Sequence, residues 1–126
     1  MTIVLVVEDE LNIRKFVAAN LKARGFQVLE APDAETGLEL VQGTIPDAIV
    51  LDIKLPGMDG WQFLENITVN PDLAQIPTVV MTAHVMDSEA RQIRFPNVSE
   101  VIFKPVSAAQ MVSAVQKALN GATAAR

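Results

Sequence analysis

Branched apolar side chains gather in five short runs, at 3–7, 27–31, 48–51, 78–81 and 101–103. Continuous apolar runs of this length, without polar alternation, predict strands buried on both faces. The segments between them carry helical spacing. Ile13, Phe16, Val17 and Leu21 fall on one stripe, and Gly25 closes that first helix. Asp33 caps a second helix reaching about Val41 and ended by Gly43, and a third starts near Gly60 and ends before Pro71. Ser88 is the cap of a fourth, the weakest of the set, because Pro96 cannot lie inside a helix and drives Phe95 out of helical geometry. The fifth has the fullest signals. Ser107 and Gln110 have capping-box spacing, Val106 and Met111 form a hydrophobic staple, and Gly121 follows the last apolar residue, Leu119.

Strands alternating with helices in this way predict an α/β domain, doubly wound, with a five-stranded parallel sheet and helices on both faces. There is no internal repeat. Residues 1–120 are expected to form one domain, with 121–126 a flexible tail or the start of a linker and no second domain in the chain.

Composition narrows the function classes. The chain has 126 residues, half of them apolar, and by size scaling it can bury roughly two-thirds of its unfolded surface. It has no cysteine, so no disulfide framework points to secretion. The longest apolar run is far short of the ~20 residues of a spanning helix, and no signal-peptide pattern precedes it, so the cytoplasm is the expected location and no membrane partner is expected. Fifteen acidic against ten basic residues give a net charge of -5, which argues against nucleic acid and for a cation as partner.

In doubly wound folds ligands bind beyond the carboxyl ends of the strands. Glu8, Asp9 and Glu10 follow the first run, Asp52 ends the third, Thr82 lies just beyond the fourth, and Lys104-Pro105 follow the fifth. Carboxylates converging on one edge need a counter-charge. Oxygen ligands without His or Cys suit Mg²⁺, which shares its shell readily with a phosphate. The Lys104 ammonium and Thr82 hydroxyl then serve a phosphoryl group on a carboxylate nucleophile.

With these residues in place, the sequence resembles, over essentially its whole length, the receiver domain of two-component response regulators, including chemotaxis-type regulators. The resemblance rests on Glu8-Asp9, on Asp52-Ile53-Lys54-Leu55-Pro56-Gly57-Met58-Asp59-Gly60, on Thr82-Ala83 and on Lys104-Pro105. It implies a flavodoxin-like strand order 2-1-3-4-5. It implies phosphoryl transfer from the phosphohistidine of a sensor histidine kinase or phosphotransfer protein onto Asp52, assisted by Thr82 and Lys104. Mg²⁺ would be held by the carboxylates of Asp9 and Asp52, by Glu8 directly or through water, and by the Lys54 carbonyl. A downstream effector protein, autodephosphorylation tuned by Lys54 and His84, a cis Lys104-Pro105 peptide and a phosphorylation-dependent homodimer belong to the same picture. The chain departs from the family at Val101, where an aromatic switch residue is usual, and at Asn97, where Gly is usual and Asn can keep a left-handed turn. Phosphorylation is therefore expected to act through the 84–97 segment and the face made by the fourth helix, fifth strand and fifth helix.

Plainer readings exist for each residue alone. Acids after a strand commonly sit at a helix N-terminus, a strand-end Thr commonly bonds backbone, and a lone Lys is commonly solvated. Asp33, Asp47, Asp72 and Asp87 are assigned to caps and turns, Pro56-Gly57 to a tight turn, Trp61 in part to the core, and His84 to a solvent-facing loop. Three other functions compete. An Asp-nucleophile phosphatase of the haloacid dehalogenase type would need a second Asp where Lys54 stands. A flavodoxin-like cofactor binder would need a Ser-, Thr- and Gly-rich first loop where Glu8-Asp9-Glu10 would repel phosphate. A degenerate receiver, acting only as an interaction module, would lack part of the acid, hydroxyl and lysine set.

Overall fold

The computed structural model describes residues 1–83 and 95–124, with side-chain burial given as far as Gly121. Ser88, His84 and Asp87, and with them the expected fourth helix, lie outside the described residues. The described elements run β1 (Ile3–Val7), α1 (Leu11–Ala23), β2 (Gln27–Ala31), α2 (Ala34–Gly43), β3 (Ala48–Asp52), α3 (Gly60–Thr68), β4 (Thr78–Thr82), β5 (Val98–Phe103) and α4 (Ala108–Ala124). All strand pairs are parallel, and the order is β2-β1-β3-β4-β5, as expected. No described helix is long and apolar enough to cross a membrane.

Burial explains the apolar runs. In β1, Leu5 and Val7 join the cluster under α2 and α3 with Ile49, Leu51, Phe63 and Leu64, whereas Val4 and Val6 join the cluster under α1 and α4 with Val17, Leu21, Val50 and Met111. Successive side chains point to opposite faces, and both faces are covered, so every position must be apolar.

The caps follow the sequence closely. The Asp33 carboxylate accepts from the Thr36 amide at 2.7 Å, and Ser107 and Gln110 exchange reciprocal bonds of 3.1 Å. The Asp47 carboxylate accepts from the Ile3 amide at 2.7 Å, pinning the entry of β1 beside that of β3. Asp72 donates its amide to the Asn70 side chain at 2.9 Å within a turn. Gly57 takes φ +73°, the left-handed turn residue that Pro56-Gly57 predicts. Trp61 is mostly buried and stacks on Phe95, ring centroids 5.9 Å apart.

Two expectations are corrected, at the start of β5 and at the end of α4. β5 starts at Val98 rather than Val101, because an edge strand with a register shift carries exposed or half-buried Ser99 and Glu100 that break the apolar run. Asn97 earns its place through its side chain: its Nδ2 donates to the Ile76 carbonyl at 3.2 Å, and its own carbonyl accepts from the Thr78 amide at 2.8 Å. α4 continues through Gly121 to Ala124, since alanine-rich sequence favours helix enough to absorb one exposed glycine.

α3 starts with a device absent from the pattern reading. The Asp59 carboxylate accepts from the Gln62 amide, and the Gln62 side chain accepts from the Asp59 amide, both at 2.9 Å. Asp59→Ala is expected to lower unfolding free energy by about 1 kcal/mol. Urea unfolding checks this through a lower midpoint at unchanged slope.

Candidate functional site

Strand register brings the site residues together. Val7 is level with Leu51, and Asp52 is level with Met81, so Glu8, Asp52 and Thr82 emerge at one edge of three adjacent strands. Thr82 is level with Phe103, and its carbonyl accepts the Lys104 amide at 2.9 Å, which adds the lysine to that edge. The Lys104-Pro105 peptide is cis, as the resemblance implied.

Glu8, Asp52 and Thr82 are buried, whereas Asp9 is exposed at the mouth. One carboxylate oxygen from each of Glu8, Asp9 and Asp52 lies within 4.8 Å of the others. The Lys104 ammonium joins the two buried acids, 2.8 Å from Glu8 Oε1 and 3.2 Å from Asp52 Oδ2. Asp52 Oδ1 also accepts the Lys54 amide at 3.3 Å. Thr82 stands at the fourth corner. Of the residues named from sequence, Glu8, Asp9, Asp52, Thr82 and Lys104 therefore converge, Lys54 enters through its backbone, and Glu10 contributes only an amide that donates to Glu8 Oε2 at 3.2 Å.

Charge in this pocket is unbalanced. Burial pushes the Glu8 carboxyl above its ordinary range; the Lys104 contact opposes this and the neighbouring Asp52 charge reinforces it. Asp9 is raised by desolvation and then by Glu8. Desolvation acts against the Lys104 ammonium, yet its contacts with Glu8 and Asp52 outweigh that and hold its pKa above the ordinary lysine value. Among the described residues, the Lys104 ammonium thus contacts two of the three grouped carboxylates. Glu8 Oε1 meets that ammonium as an ion pair but accepts no well-aligned hydrogen bond. An all-oxygen donor set with an acid left short of partners fits a hard divalent cation.

Two features escaped the sequence reading. Gly60 is indispensable for close approach: a β-carbon there would lie 2.6 Å from the Asp52 carbonyl and 2.7 Å from Ile53 Cα, and its amide donates to the Ile53 carbonyl at 2.8 Å. The helix-start signal at Gly60 was legible, but its contact with the strand end was not. Phe16, assigned to the apolar stripe of the first helix, is 43% exposed. It borders a hollow of about 300 Å³ beside Lys104, lined also by Ile13, Met81 and Val106.

The strand order and this edge define a flavodoxin-like domain with a lysine-bridged acidic pocket at the carboxyl ends of its strands. The chain belongs to the response regulator receiver domain family, whose sequence model matches residues 4–116. It is 32% identical over 117 residues to the phosphate regulon transcriptional regulatory protein PhoB of Escherichia coli, covering 93% of this chain and 51% of that protein. It is 29% identical over 120 residues to the sensor histidine kinase CheAY of Helicobacter pylori, covering 94% of this chain and 15% of that one. The fold matches the chemotaxis response regulator CheY4 of Vibrio cholerae with a TM-score of 0.86 at 24% identity, over 94% of this chain and 99% of that one. The chain spans about half the length of the transcriptional regulators it matches.

The raised acids set a pH dependence. A carboxyl whose folded pKa lies above its unfolded value binds protons more tightly when folded, so its stabilising contribution is full below the unfolded value and is lost as pH rises through the folded one. Metal-free protein is therefore expected to lose stability as pH rises from about 4.5, the ordinary value for Glu8, toward neutrality. Glu8→Gln should flatten that slope in urea titrations at several pH values. An undiminished slope in this variant would assign it to other groups.

Proposed function

We propose that this receiver domain is a phosphorylation-switched signalling module whose phosphoacceptor is Asp52. The observation that carries the reading is the Asp52 carboxylate, buried at the sheet edge, 3.2 Å from Lys104 and grouped with Glu8 and Asp9. In the transfer, an Asp52 carboxylate oxygen attacks the phosphorus of a phosphohistidine on a kinase or phosphotransfer protein. The P–N bond breaks and its electron pair stays on the imidazole. Lys104 releases part of its hold on Asp52 and stabilises charge on the phosphoryl oxygens, with the Thr82 hydroxyl as a further donor. Asp9, Asp52, Glu8 directly or through water, and the Lys54 carbonyl would hold Mg²⁺, which would neutralise the crowded acids and orient the phosphoryl group. Water attack on the acyl phosphate then restores Asp52, so the domain also dephosphorylates itself.

The convergence of acids, hydroxyl and lysine supports a competent receiver over a degenerate one. Lys54, two residues after Asp52, leaves no second Asp to serve the phosphatase alternative. The relatives, transcriptional regulators and a sensor histidine kinase, favour a kinase upstream and an effector downstream. The output is assigned to the face that includes β5 and α4, where Lys104 connects the pocket to an edge strand.

Two measurements test this reading. Incubation with acetyl phosphate and Mg²⁺ should place one acid-labile phosphate on the wild type and none on Asp52→Asn; equal labelling of the variant overturns the assignment. Millimolar Mg²⁺ should raise the melting temperature of the wild type, because the ion binds the folded acid cluster and not the unfolded chain. A melting curve unmoved by Mg²⁺ refutes the metal role.

A further inference from the structure

Arg14 lies on α1 outside the acid cluster, yet its side chain is only 13% exposed and spans two elements. Its Nη1 donates to the Glu8 carbonyl at 2.9 Å, and its Nε stands 3.5 Å from Glu30 Oε1 on β2. The Glu8 carbonyl belongs to the peptide plane that joins Glu8 to Asp9. A guanidinium holding that oxygen fixes the plane, and with it the direction from which the exposed Asp9 carboxylate enters the pocket. The Glu8 amide on the other side is held by the Ala31 carbonyl at 3.0 Å, so β2 and α1 clamp this residue from both ends.

Charge completes the argument. An unpaired guanidinium this close to the acids would compete with a divalent cation for their field. Glu30 pairs with it, and shares its charge with the exposed Lys15 ammonium at 3.1 Å. A charge-assisted bond is shorter and stronger than a neutral one, and the planar fork of Arg can serve two acceptors at fixed angles where a lysine serves as a point.

We infer that Arg14, charge-balanced by Glu30, is a positioning residue for divalent-cation binding: it locks the Glu8-Asp9 peptide so that both carboxylates are presented together. The inference rests on the Mg²⁺ reading above and adds a residue outside the predicted ligand set. Groups that orient metal ligands cost about 10- to 100-fold in affinity when removed.

The test is a calorimetric Mg²⁺ titration of the whole chain, with circular dichroism confirming the fold of each variant. Arg14→Met, which keeps the apolar stem, should weaken Mg²⁺ binding by about tenfold or more. Arg14→Lys should recover only part of it. Glu30→Gln leaves the Arg14 to Glu8 bond available but uncovers the positive charge, so its smaller loss should shrink as salt is raised from about 0.01 M to 1 M, where the screening length falls from about 30 Å to 3 Å. Saturating Mg²⁺ should restore acetyl phosphate labelling of Arg14→Met, as a positioning role requires. Folded Arg14→Met that binds Mg²⁺ within twofold of wild type overturns the inference while leaving the metal reading intact. If Arg14→Met does not fold, Arg14→Lys and Glu30→Gln decide: wild-type affinity in both overturns it. A wild type that binds no Mg²⁺ overturns the metal reading and this inference together.

Discussion

One ammonium between two buried carboxylates is the constraint on which the rest of this structure depends. Glu8 and Asp52 sit at the ends of adjacent central strands, and at Glu8 desolvation and the neighbouring Asp52 charge both act against ionisation. Lys104 reaches both, at 2.8 and 3.2 Å, and that bridge is what lets two acids share a dry edge. The bridge is incomplete by design of charge: three carboxylates against one lysine leave the pocket acidic. Such a pocket has the charge that the proposed cation, and with it a phosphoryl group, would require. The same excess that costs stability near neutral pH is the source of the chemistry.

Holding that excess in place requires a rigid frame, and the sheet supplies it. β3 and β4 are buried along their whole length, and β1 over four of its five residues. Their alternating side chains feed two separate cores under two pairs of helices. A one-residue slip would exchange the two cores and carry Asp52 out of register with Glu8. Gly60 tightens the frame further, since α3 can begin against the Asp52 carbonyl only where no β-carbon intervenes. Asp52 is thus packed from below by a helix start and from the sides by its neighbouring strands.

Most of this was legible in the sequence because it is written in local patterns. Apolar runs marked four strands nearly to the residue, and Asp33, Ser107 and Gln110 marked helix starts through spacing alone. Five charged or hydroxyl residues at strand ends were enough to assemble the pocket. What was not legible is what depends on distant partners. Ser99 and Glu100 disguised the first half of β5, because an edge strand tolerates polar side chains that a central strand would not. Asn97 read as a substitute for glycine, but that its amide ties the turn to Ile76 and its carbonyl ties it to Thr78 depends on residues some twenty positions away. Arg14 carried no reading from sequence, since nothing local reveals that it reaches the Glu8 carbonyl. Gly60 read as a helix start, its close approach to Asp52 being a three-dimensional fact.

The position of Lys104 also decides where a change of charge at Asp52 can be relieved. Glu8, Asp52 and Thr82 end central strands, each paired on both sides, and displacement there would break ladders and open both cores. Lys104 follows β5, which has a sheet partner on one side only, carries a register shift near its start and is half-exposed over most of its length. Local opening costs least where buried apolar contacts are few and backbone bonds face solvent. On the proposed phosphorylation of Asp52, the carboxylate that Lys104 grips would change, and the altered pull would fall on β5, the most exposed of the described strands that line the pocket. β5 in turn packs on α4, which reaches the core beneath β3 and β4 through Met111 and Val115. The rigid centre and the pliant edge are therefore complementary halves of one device, with the lysine as the link between them.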